Sequence, residues 1–209
     1  HSYALTSSAV EVSSSTQFSV TLNAADQLNV GGLLNKNGTS SDGGTMYNLA
    51  AADNWLSGAA ASANISDVSG NGITVSNVAK PTLSSTAYNA ASGVLTVTGT
   101  NFVKENGSNN DIDVSKLSIT GEGGSSHSYT LTSSAVEVSS STQFSVTLNA
   151  ADQLNVGGLL NKSGSSSDGG TTYNLAAADN WVAGAVASAN ISDVSGNGLT
   201  VSNVPVPNI

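Results

Sequence analysis

The stretch Lys-Glu-Asn-Gly-Ser-Asn-Asn-Asp-Ile-Asp-Val-Ser-Lys, residues 104–116, concentrates oxygen-bearing side chains: Glu105, Asn106, Asn109, Asn110, Asp111 and Asp113 fall within nine residues. A second, shorter group runs Asp193-Val-Ser-Gly-Asn197. Calcium takes roughly six to eight oxygens from such groups, so Glu105, Asn110, Asp111, Asp113, Asp193 and Asn197 are the candidate calcium ligands. The spacing departs from that of an EF-hand loop. The same residue types also serve turns, where Asn and Asp bond their own backbone, and both readings stand on the sequence.

Other chemistry has less to work with. The histidines are His1 and His127, and there is no cysteine for a disulfide or a thiolate-held metal. Glycoside hydrolysis needs two convergent carboxylates, but Glu137 alternates with apolar neighbours on a strand and Glu122 sits in Gly-Glu-Gly-Gly, neither beside aromatic residues. No glycine-rich phosphate loop ends in Lys-Ser/Thr. The expectation is a chain without catalytic function. Trp55 and Trp181 are the tryptophans; Trp181 is the candidate for stacking on a glycan, against the alternative of a packed core residue. Fourteen acidic residues against five lysines, with no arginine, give a net charge of −9. That leaves no basic patch to displace counterions from phosphates, and it argues against a nucleic-acid partner. No apolar run approaches a transmembrane helix.

These residues sit inside a repeat. Residues 1–79 align with 127–205 at an offset of 126 without a gap, and about seventy of the seventy-nine positions are identical. The exceptions are mild: Leu56 becomes Val182, Ile73 becomes Leu199, Asn37 becomes Ser163 and Met46 becomes Thr172. The period is too long for a solenoid and has the size of a domain. The linker-like Asn77–Pro81 sets the expected boundary: 1–79 a partial repeat lacking its first strands, 80–205 a complete repeat, and 206–209 the start of another.

Within the complete repeat, period-2 alternation predicts strands. Thr82–Tyr88 and Val94–Gly99 form a hairpin across Asn89–Gly93, Leu117 and Ile119 share a face, and Tyr129 and Leu131 begin another strand. Val136 and Val138 follow, then Phe144, Val146 and Leu148, and finally Leu199 and Val201. Asn149 is placed to cap a helix with Asp152 at its third position. Asn174 is the expected cap of a second, Ala-rich helix carrying Trp181. Short strands with turn signals predict a mostly β chain, an antiparallel β-sandwich with short helical insertions.

The segment Pro-Thr-Leu-Ser-Ser-Thr-Ala-Tyr-Asn-Ala-Ala-Ser-Gly-Val-Leu-Thr-Val-Thr-Gly-Thr-Asn-Phe, residues 81–102, resembles immunoglobulin-like repeats of the IPT/TIG type. More broadly, the unit resembles domains repeated in large bacterial surface and secreted proteins. The resemblance implies an immunoglobulin-like sandwich and a non-catalytic spacer, adhesin-stalk or fibre role outside the cell, with identical neighbouring repeats as partners. It covers the first strands well and the helical half poorly. The strand from Thr82 and its returning hairpin partner would place loop 101–113 beside the junction with the preceding repeat, and the turn at 193–197 should face the same way. Calcium bound there would stiffen the joint. Two alternatives go with this expectation: a glycan-binding module, and a filament subunit whose missing strands come from another molecule across open sheet edges.

Overall fold

The computed structural model describes residues 1–105, 107 and 109–205; Asn106 of the oxygen-rich loop and residues 206–209, the expected start of another repeat, lie outside them. In chain order the elements are β1 (Val12–Ser14), β2 (Gln17–Phe18), α1 (Ala24–Leu33), β3 (Thr82–Asn89), β4 (Val94–Thr100), β5 (Leu117–Thr120), β6 (Ser128–Thr130), β7 (Val138–Ser140), β8 (Gln143–Thr147), α2 (Ala150–Leu159), β9 (Asn174–Ala177) and β10 (Leu199–Ser202). The chain is mostly β, with several sheets. Five strands pair in the order β10-β3-β4-β8-β7, three in the order β6-β5-β9, and β1 with β2 alone. No helix among the described residues is long and apolar enough to cross a membrane.

The β3–β4 hairpin turns at Gly93, whose φ of 69° is a conformation that glycine adopts without the Cβ penalty, and the Gly93 N–H closes the turn on the Asn89 carbonyl at 2.8 Å. β4 then pairs antiparallel with β8, with Leu95 opposite Val146 and Val97 opposite Phe144. The closing strand β10 lies parallel to β3, with Leu199 level with Thr86. Buried side chains of the five-stranded sheet (Leu95, Val97, Phe144, Val146) and of the three-stranded sheet (Leu117, Ile119, Leu175) belong to one core cluster, and all members of that cluster lie between Leu83 and Val201. At its centre the Trp181 ring meets Phe102 edge-on, with centroids 5.5 Å apart.

One helix forms where the sequence indicates and the other does not. α2 starts at the Asn149 cap, whose side chain accepts from the Asp152 N–H, and ends at Leu159. The segment expected as a second helix is strand β9, bonded along its length to β5, followed by turns around Trp181. The alanines here pack at alternate positions: Leu175 and Ala177 are buried while Asn174 and Ala176 are half-exposed. Strand pairing outweighs their helical propensity.

The first repeat keeps only part of this structure. Its β1, β2 and α1 match β7, β8 and α2, but residues 48–51 and 73–76, the counterparts of β9 and β10, form isolated bridges only. What survives is what one repeat can make alone. The Gly38–Val75, Ser40–Met46, Asn48–Gly72 and Ala51–Asp67 bridges reproduce Gly164–Val201, Ser166–Thr172, Asn174–Gly198 and Ala177–Asp193. Strands whose partner in the second repeat is β3 or β5 are absent. The chain divides into two compact units, His1–Leu33 with Ala79–Ile209, and Leu34–Val78, so the division falls inside the first repeat.

Candidate functional site

The oxygen-rich loops are built around the entry of the chain into β3. The Lys80 carbonyl accepts from Asn101 Nδ2 at 3.1 Å, the Lys80 ammonium donates to the Asn190 carbonyl at 2.9 Å, and the Leu83 N–H donates to Asp193 Oδ2 at 2.8 Å. Asp193 and Asn197 are brought together: Asn197 Nδ2 donates to Asp193 Oδ1 at 3.0 Å and also to the Leu175 carbonyl. Asn197 is thereby buried with its donors satisfied.

Asp111 is the centre of the other group. Its carboxylate is buried, and accepts from the Glu105 N–H at 2.6 Å and the Val138 N–H at 2.9 Å. It thus ties the loop after β4 to the start of β7. Burial pushes its carboxyl up to about 6, a rise to which neighbouring Glu137 adds. Glu137 moves the opposite way, held down first by the Lys104 ammonium 2.6 Å away. The remaining candidates have separate duties. Asn110 Nδ2 donates to the Ala135 carbonyl, Asp113 caps the short turn 114–116 by accepting from the Ser115 N–H and hydroxyl, and Glu105 contributes its backbone N–H to Asp111.

These six residues therefore act mainly as backbone braces. Both Asp111 oxygens and both Asp193 oxygens already accept from N–H groups, and a cation would have to displace those donors. Among the described residues no three His, Cys, Asp or Glu side chains are grouped to hold a metal ion.

Trp181 is fully buried and its Nε1 donates to the Ile191 carbonyl at 2.9 Å. No face of the ring is open for a sugar, and stacking there would require opening the core. The His127 Nδ1 lies 3.1 Å from the Gly123 carbonyl and 3.2 Å from the Ser126 hydroxyl. Glu122 accepts from the Gly169 N–H, the main cause of its lowered pKa, and from Asn161.

A further buried carboxylate is Asp152. Besides following the helix cap, it is buried and accepts from the N–H groups and hydroxyls of Thr132 and Ser133 and from the Tyr129 hydroxyl. Burial alone would raise its pKa, but the bonds from Ser133 and Thr132 prevail and lower it. Asp26 repeats the arrangement with Tyr3, Thr6 and Ser7. The signal was available as Tyr-x-Leu-Thr-Ser-Ser followed nineteen to twenty-three residues later by the helix Asp, but nothing in such a spacing marks the two as partners.

The first repeat exposes apolar side chains in both compact units. Leu5, Val10, Val12, Phe18 and Val20 are exposed in the first unit, and Leu49, Trp55 and Leu56 in the second. Of their counterparts, Leu131, Val138, Phe144, Val146, Leu175, Trp181 and Val182 are buried and Val136 is partly buried. The cover in the second repeat is residues 82–120. In comparisons with known proteins, no family model matches the chain, and no curated protein and no solved structure is significantly similar to it.

Proposed function

We propose that the chain is a structural repeat of an extended stalk or fibre outside a bacterial cell, its folding unit an immunoglobulin-like β-sandwich equivalent to 80–205. The observation that carries this reading is the pairing of near-identity with incompleteness. The two repeats agree at about seventy of seventy-nine positions, yet only the one preceded by 82–120 buries these apolar side chains. The unit is thus a segment like 80–126 joined to a segment like 127–205, and such units in series form an array. A short linker at Lys80-Pro81, with the lysine bonded on both its carbonyl and its ammonium, suits a joint that transmits tension. The fourteen acidic residues suit a hydrated extracellular surface.

The exposed apolar side chains also favour a second reading, completion by strands from another molecule, because their counterparts Phe144 and Val146 on β8 are buried where β4 pairs with that strand. Both readings meet one experiment. Antibodies against the chain are expected to label intact source cells or filaments shed from them. Labelling only after lysis overturns the extracellular role. Particles that dissociate into single chains under non-reducing denaturant favour assembly in trans, whereas long covalent chains favour the stalk.

A further inference from the structure

We infer that the exposed side of α2, formed by Leu154, Gly157 and Gly158, is the docking site for another unit of this same sequence, which seats its Val103–Lys104 segment there. The inference comes from comparing two helices of one sequence, Ala-Ala-Asp-Gln-Leu-Asn-Val-Gly-Gly-Leu, which form α1 and α2.

On α1 this side is occupied. The Lys104 N–H donates to the Leu28 carbonyl at 3.1 Å. A Cβ at Gly31 would come within 2.9 Å of Val103 Cγ1, and one at Gly32 would fall on the Lys104 carbonyl. Leu28 is half-buried against the core of the following repeat. The two glycines weaken the helix, and this close backbone approach is what they permit.

On α2 no described residue takes that side. Among the described residues nothing lies within 4 Å of a Cβ at Gly157 or Gly158, and Leu154, the counterpart of Leu28, is 80% exposed. The glycine pair has there the same conformational cost with no described neighbour to use it, beside the most exposed large apolar side chain among the described residues. The occupant is defined by α1: a unit like 80–205 whose Val103–Lys104 is not already covered. The contact uses different surfaces on the two partners, so it is heterologous and can recur from unit to unit along an array. It rests on the array reading and adds the joint that would orient successive units.

The test uses the isotopically labelled 1–209 chain, with an unlabelled 80–205 polypeptide as probe; that segment holds the entire core cluster. Saturable amide shifts are expected at Leu154 through Leu159 of the 1–209 chain. They should weaken by about tenfold or more in affinity in Gly158→Ala, a change that favours the free helix and so keeps the fold. Circular dichroism of the variant checks this. The inference is overturned by no shifts on α2 at about 1 mM probe, the effective concentration of linked units. It is also overturned by shifts confined to other surfaces, or by shifts that Gly158→Ala leaves unchanged. Failure of the array reading shows differently, as an 80–205 polypeptide that does not fold cooperatively.

Discussion

Trp55 and Trp181 occupy the same position in the two repeats, and each donates its Nε1 proton to the carbonyl ten residues on, Ile65 or Ile191, at 2.9 Å. Trp181 is fully buried while Trp55 is 47% exposed. The local turn is therefore a property of the repeat, and the environment of the ring is a property of what covers it.

That difference is measurable in single-tryptophan variants. Trp181→Phe, which leaves Trp55, should give red-shifted emission open to acrylamide, and Trp55→Phe should give blue-shifted, shielded emission. Adding the tryptophan-free segment 80–126 to the Trp181→Phe chain should move its emission to the blue if 1–79 accepts the missing strands. Emission that stays red at saturating segment would count against completion in trans.

Asp152→Asn should destabilise the chain by about 2–4 kcal/mol in denaturant unfolding, because an amide NH2 would face N–H and O–H donors inside a buried site. Asp26→Asn alters the same bonds outside the main core cluster. It should leave the principal transition in place and speed hydrogen exchange at Thr6 and Ser7. Equal losses of midpoint in the two variants would show that the repeats unfold as one block.

The pH dependence follows from opposed shifts. Asp111 is raised to about 6 by burial, above the ordinary value of about 4. The native state then binds the extra proton, and stability from this group is full below about pH 4 and lost as pH rises through 6. Asp152, Glu122 and Glu137 are lowered, so their contribution is present above the ordinary carboxylate values and lost as pH falls through their folded values. The thermal midpoint should rise from pH 7 to about 5 and fall again toward pH 3. Asp111→Asn should flatten the upper limb; an unchanged limb in that variant would assign it to another group.

Calcium is tested directly by the melting midpoint in excess calcium and in chelator. With the Asp111 and Asp193 oxygens engaged by N–H donors, the two midpoints should coincide within about 1 °C. A ligand at about a hundred times its Kd would add about 2.7 kcal/mol. A rise of that order, lost in Asp193→Asn, would restore an ion to the joint.

Gly32→Ala should release α1, since the new methyl would meet the Lys104 carbonyl. Faster exchange of the Lys104 N–H, with the main transition retained, is the expected result. A protected Lys104 amide would mean that the seat tolerates a side chain.

The amino-acid sequence alone determined the repeat and its period, the strands with clean alternation such as β4 and β8, the hairpin at Gly93 and the Asn149 cap, because each depends on neighbours a few residues away. It also located the two Asx-rich loops, but their role was decided by the fold. Asp111 braces Val138 twenty-seven residues on, and Asp193 braces Leu83 from 110 residues away, pairings that local spacing does not encode. The helix expected at 174 became β9 because β5 supplies a full ladder of partners. The clearest case is the repeat itself: nearly the same residues form β8, β9 and β10 when β3, β4 and β5 are beside them, and only β2 and isolated bridges when they are not. A strand is completed by its neighbour's hydrogen bonds and apolar cover, so here burial and secondary structure are decided between segments, after the sequence of each has been read.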